Sequence, residues 1–177
     1  MHQSLTSLLD TTRPGVVAVD GPSGSGKTTY AEVVAGELAR RTGARPQVVH
    51  MDDVYPGWDG LAEAVGLVTE WVLAPHAAGR HGGFRRWDWV NGTRGERIEV
   101  PWAPWIVLEG VAAGSAACRE HLTALIWLEA DPAVRMARGI ERDGEAYRPH
   151  WERWARQEQE LFAREDTRAH ADLVIRT

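Results

Sequence analysis

The run Gly21-Pro-Ser-Gly-Ser-Gly-Lys-Thr28 fits the pattern G-x-x-x-x-G-K-[S/T], and it lies between an apolar, β-branched stretch (Gly15 to Asp20) and a segment with apolar positions at Ala31, Val34, Ala35 and Leu38. The first stretch predicts a strand and the second a helix ending near Gly43, so the glycine-rich run predicts a strand-to-helix turn. Glycines allow the backbone to turn its N–H groups inward without Cβ clashes, and the helix N-terminus behind them adds partial positive charge. Such a turn binds phosphate. The candidate contacts are Gly21, Ser23, Gly24, Ser25, Gly26, Lys27, Thr28 and Thr29, with Lys27 reaching the β- and γ-phosphates and the Thr28 hydroxyl a magnesium ion.

Lys27 is the only lysine among the 20 lysines and arginines of the chain. A compositional preference for arginine explains the others. It does not explain the exception, which stands where a compact ammonium differs from a planar guanidinium in size and donor geometry. With no second lysine there is no N-K-x-D guanine motif, and ATP is the expected donor. The formal charge of −5 and pI near 5.8 lack the basic excess that a nucleic-acid partner requires. No run of eighteen apolar residues and no signal-like segment in Met1 to Pro14 is present, so a cytoplasmic protein with no membrane partner is expected. At 177 residues, 44% of them apolar, one compact domain spanning 1–177 is expected, and a homo-oligomer is left open. The lone Cys118 reads as a small core residue.

A second strand is predicted over Gln47 to Met51, followed by a helix with Leu61, Ala64, Val65, Val68, Trp71 and Val72 on one face, closed by Pro75. Strand, helix, strand and helix in that order imply a parallel sheet. From Phe84 to Val100 apolar and polar residues alternate around Asn91-Gly92, which predicts an inserted β-hairpin. Trp105 to Leu108, Ala124 to Leu128 and Leu173 to Ile175 complete five core strands. Asp131-Pro132 begins one helix and Pro149 a longer one, whose Trp151, Trp154, Ala155, Leu161 and Phe162 form a core stripe.

Glu109, directly after the strand at 105–108, is placed to hold magnesium together with Thr28. Asp52 and Asp53 follow the second strand, where an open parallel sheet presents its ligand crevice. Two adjacent carboxylates suit a hydroxyl acceptor: one takes the proton, and the other orients the acceptor or holds a magnesium water. Asp52 is the candidate base and Asp53 the further metal candidate. Tyr55, Trp58, Trp87 and Trp89 offer stacking surfaces for a small-molecule acceptor, with Arg86 and Asp88 as polar candidates beside them; a hairpin that simply packs on the domain fits the same pattern. Arg135, Arg138 and Arg142 share one helical face, which suits a lid over polyphosphate spanning about 135–148, with Arg138 and Arg142 the candidate catalytic cations.

On Val19 to Thr28, Asp52-Asp-Val-Tyr55, Leu108-Glu-Gly110 and the Arg135, Arg138, Arg142-Asp143 run, the sequence resembles the uridine kinase and phosphoribulokinase-like group of P-loop kinases over nearly its whole length. The resemblance implies a P-loop NTPase three-layer sandwich with a five-stranded parallel sheet, an inserted hairpin and an Arg-rich helical lid. It also implies Asp52 as general base, Glu109 as magnesium ligand, and transfer of the γ-phosphoryl group of ATP to the hydroxyl of a nucleoside or similar alcohol. Val54 stands where an aromatic is usual, and the acceptor stays open. The glycine-rich loop is also similar to that of cytidylate kinase, which would make Arg80, Arg85, Arg86 and Arg94 ligands of a nucleotide acceptor. A P-loop protein whose ATP hydrolysis drives a partner is a third reading.

Overall fold

The computed structural model describes residues 5–144 and 148–177. One turn of helix, α1 (Leu5–Leu8), precedes β1 (Gly15–Asp20), which is buried along its whole length. A strand apolar on both faces needs cover on both, and that cover is present. On one side α2 (Lys27–Thr42) lays Ala31, Val34, Ala35 and Leu38 against Val17 and Val19. On the other, Val16 and Ala18 meet a cluster that includes Leu61 and Val68 of α3 (Leu61–Val68) and Trp154 and Leu161 of α7 (Arg148–Glu165).

The sheet has five parallel strands in the order β2 (Gln47–His50), β5 (Trp105–Glu109), β1, β6 (Ala124–Glu129), β7 (Leu173–Arg176). Helices on both faces make three layers, the P-loop NTPase architecture expected from the sequence. The central strand carries the glycine-rich turn at its carboxyl end, so the turn opens above the middle of the sheet. Helix α5 (Ala116–Arg119) holds Cys118, a buried free thiol. Helix α6 (Pro132–Asp143) starts as predicted: the Asp131 carboxylate accepts the Ala133 N–H, Pro132 fills the first position, and Gly144 ends the helix.

Two local expectations need correction. Met51 leaves the second strand and opens a 3-10 turn, Met51–Asp53. Pro75 does not close its helix: the chain continues through a π-turn, Thr69–Leu73, into α4 (Ala74–Ala77), with Pro75 in the first turn of α4. The wider π-turn loosens the backbone ladder just ahead of a residue that has no N–H to contribute.

The hairpin forms as read, from β3 (Gly82–Asp88) and β4 (Thr93–Val100), antiparallel, with a register shift between Arg85 and Trp87. It is a separate sheet beside the main one. Gly82 brings its backbone against the π-turn, since a Cβ there would come within 2.6 Å of the Trp71 carbonyl oxygen. Arg94 completes the docking, its guanidinium 5.4 Å from the ring centres of both Trp71 and Trp87 and donating to the Val54 carbonyl at 2.8 Å. Among the described residues, no helix is long and apolar enough to cross a membrane.

Candidate active site

At the carboxyl end of β1, Asp20 is wholly buried and accepts three backbone N–H groups, from Gly21 at 2.6 Å, Ala112 at 3.0 Å and Gly114 at 2.8 Å. Burial pushes its carboxyl up to about 7, against the pull of those donors and of Lys27. The knot joins the start of the glycine-rich turn to the loop after β5. There Ala112 adopts a φ of 72°, a strained value for a residue with a Cβ.

Beyond Asp20 the turn curls as its glycines permit, and the residue just before α2 is Gly26, which has no side chain to cap the helix. The N–H groups of the first turn are thereby left for a ligand. They open onto a cavity of about 230 Å³ whose wall includes Ser23, Gly24, Gly26, Lys27, Thr28, Thr29, Asp52, Glu109 and Arg138. Lys27 is 9% exposed, with Nζ donating to the Pro22 carbonyl at 3.1 Å.

The Glu109 carboxylate, at the end of β5, accepts the Thr28 hydroxyl at 3.3 and 3.4 Å. His50 Nδ1 stands 2.6 Å from Glu109 Oε1, and that bond raises the His50 pKa. An alcohol and a carboxylate facing an open, water-accessible cavity are the hard oxygen donors that magnesium takes, so these residues fit that ion.

The structure thus brings together most of the residues expected at the donor, though not all in the same capacity. Gly21 gives its N–H to Asp20. Ser25 lies buried under the turn, its hydroxyl without a partner. Ser23 lines the cavity, but its N–H and hydroxyl both turn away to Glu158, at 2.9 and 2.5 Å. Arg135 and Arg138 share a face as predicted, and that face rests on the turn: Arg135 donates to the Ser23 carbonyl at 3.1 Å and Arg138 to the Gly24 carbonyl at 3.3 Å. The side chain of Arg142 and residues 145–147 of the expected lid lie outside the described part.

On the acceptor side, Asp52 lines the cavity and Asp53 does not. A 3-10 turn rotates adjacent side chains apart, and Asp53 meets Arg86 at 3.0 Å instead. Tyr55, expected at the acceptor, is a core residue, 1% exposed, donating its hydroxyl to the Val111 carbonyl at 2.8 Å. Asp88, expected there too, caps the hairpin turn by accepting the N–H groups of Val90 and Asn91. Trp87 lies under Arg94, whereas Trp89 donates its Nε1–H to the Asp52 carbonyl at 3.1 Å and packs on Trp58 at 4.9 Å.

Sequence reasoning missed His50, Asp20 and Glu158. A carboxylate inside the otherwise apolar Trp154 to Leu161 stripe was the signal for Glu158, and a charge ending an apolar strand the signal for Asp20. His50 had none.

No protein-family model matches the sequence, and no curated protein is significantly similar to it. Solved structures are similar in fold. A possible uridine kinase from Bacillus stearothermophilus superposes with a TM-score of 0.69 at 22% identity, over 94% of this chain and 91% of that one. A candidate fructose transport system kinase from Silicibacter sp. TM1040 gives 0.60 at 21% identity, over 97% and 95%. D-glycerate 3-kinase from Cryptococcus neoformans var. grubii gives 0.51 at 12% identity, over 86% and 78%. At these identities the likeness is one of fold, and the fold is that of P-loop kinases.

Proposed function

We propose that the protein transfers the γ-phosphoryl group of ATP to a hydroxyl of a small molecule, a nucleoside or similar alcohol. One observation carries this reading: Asp52 lines the same cavity as Lys27, Thr28 and Glu109, so a residue able to accept a proton borders the volume that the phosphate-binding candidates enclose. In this scheme Asp52 takes the proton of the acceptor hydroxyl, whose oxygen bonds to the γ-phosphorus as the bond to the β,γ-bridging oxygen breaks and ADP leaves. Lys27, with Arg138 at the cavity rim, offsets the charge that develops on the transferred group. Thr28 and Glu109 would hold magnesium, which would supply positive charge to offset that of the phosphates. A neighbouring hollow walled by Tyr30, Val33 and Leu128 is apolar enough for the base of the nucleotide.

The arginines favour a hydroxyl acceptor over a nucleotide. Arg86 is paired with Asp53 and with Glu96, each at 3.0 Å. Arg85 donates to the Gly95 carbonyl, and Arg94 is held against two tryptophans. Arg80 follows α4, next to Gly79 of a hollow lined by Arg13 and Thr123 at the other end of the sheet. Trp58 and Trp89 give the Asp52 segment an aromatic flank suited to a planar ring.

The test is Asp52→Asn, assayed by ADP release against nucleosides, sugars and other alcohols. ATP binding should stay within a few-fold while kcat falls by roughly 10² or more, the scale for a positioned general base. Near-normal turnover would remove Asp52 as base and with it the hydroxyl reading.

A further inference from the structure

Helix α7 grips the phosphate turn and the acceptor segment with one stretch of residues. Toward the turn, Glu158 is 2% exposed and accepts both the N–H and the hydroxyl of Ser23. Trp154, one turn earlier, donates its Nε1–H to the same hydroxyl oxygen at 3.0 Å. Arg135, whose Nη1 lies 4.0 Å from Glu158, takes the remaining Ser23 group, the carbonyl. Every polar group of Ser23 is therefore committed to the two helices α6 and α7.

Toward the acceptor segment, the Trp154 ring meets Tyr55 edge-on at 4.9 Å and Trp58 at 6.2 Å. Gln157 Nε2 donates to the Trp58 carbonyl at 2.6 Å, and Arg153 pairs with Asp59. His150 stacks on Trp58, the ring centres 4.4 Å apart and the planes 2° from parallel. The segment so held begins directly after Asp52-Asp53.

We propose that α7 is a coupling strut, with Glu158 and Trp154 as positioning residues that hold Ser23 of the donor turn in register with residues 52–59, so that nucleotide bound at one orders the other. This deepens the kinase reading and rests on it. A buried carboxylate satisfied by one residue's N–H and O–H fixes that residue strongly, because any displacement leaves a charge unsolvated. The indole transmits the constraint through packed contacts, which shift as a unit and do not deform continuously. Neither residue needs to touch substrate.

Hydrogen exchange on the full chain, with and without magnesium and a non-hydrolysable ATP analogue, tests this. In the wild type the analogue should slow exchange both in 21–28 and in 52–60. In Trp154→Phe, which removes the indole N–H, and in Glu158→Leu, which removes the oxygen that accepts both Ser23 bonds, the slowing at 21–28 should persist and that at 52–60 should fall several-fold. Slowing at 52–60 that survives in both variants, or is absent from the wild type, overturns the strut. If both variants fail to fold, the contacts serve the fold alone and the proposal is again overturned. No slowing at 21–28 in the wild type would instead sink nucleotide binding itself, a distinct failure.

Discussion

The Thr28 hydroxyl stands 3.3 and 3.4 Å from the two carboxylate oxygens of Glu109, although the residues belong to different elements, the first turn of α2 and the last residue of β5. Strand pairing sets this approach: β1 and β5 run side by side in register, Val19 opposite Glu109, so the turn that follows β1 must rise beside the end of β5. Glu109→Gln should therefore weaken the site for cation and not for nucleotide alone. Calorimetric titration of ADP should show little change without magnesium and a clear loss with it, and activity should need higher magnesium. An unchanged magnesium dependence would remove Glu109 from the metal site.

Lys27→Ala should abolish phosphoryl transfer, by a factor on the order of 10² to 10³ or more, while the melting temperature stays near wild type, because the ammonium faces the cavity and fills no core. Lys27→Arg should not restore activity, since a planar fork must fit where a point charge stood. Turnover by either variant close to the wild-type rate would contradict the phosphate role.

Asp20 makes stability depend on pH. Its folded pKa of about 7 lies above the ordinary aspartate value of 3.8, so between these values the native state holds a proton that the unfolded chain releases. Stability contributed in this way is fully present below about pH 4 and is lost as pH rises toward 7. Asp20→Asn lacks the titration and sets an amide N–H₂ against a backbone donor, a cost of about 1–3 kcal/mol. The variant should melt below the wild type near pH 5, and the gap should narrow toward pH 8. A gap independent of pH would mean that Asp20 is ionised throughout.

Arg94→Ala should loosen the hairpin, since two cation–π contacts and the bond to the Val54 carbonyl go together, worth about 1–3 kcal/mol. Proteolysis near residues 88–93 should quicken, and the affinity for ATP should not change. Protease resistance equal to wild type would mean that the hairpin is held elsewhere.

The strands, the hairpin and the caps at Asp131 and Gly144 were legible because each is a local signal, period or punctuation, that tertiary contacts reinforce. That Lys27, Thr28, Asp52 and Glu109 line one cavity was legible because they follow strand ends, where an open parallel sheet presents its crevice. What was not legible depends on rotation or on distant partners. Tyr55 and Asp53 each sit near Asp52 in sequence, yet the 3-10 turn sends one into the core and the other to the hairpin. Pro75 read as a terminator because its missing N–H is a local fact, whereas the π-turn that absorbs it also answers to the hairpin packed alongside.

The solitary lysine has a practical consequence. Its ammonium is the only side-chain amine in the chain, it borders the cavity where phosphate is expected, and the one thiol, Cys118, is sealed in the core. An acylating reagent selective for side-chain amines thus has a single target, and each label incorporated there reports directly on whether the cavity is empty. Occupancy could be counted by mass, molecule by molecule, with no engineered tag and no knowledge of the acceptor.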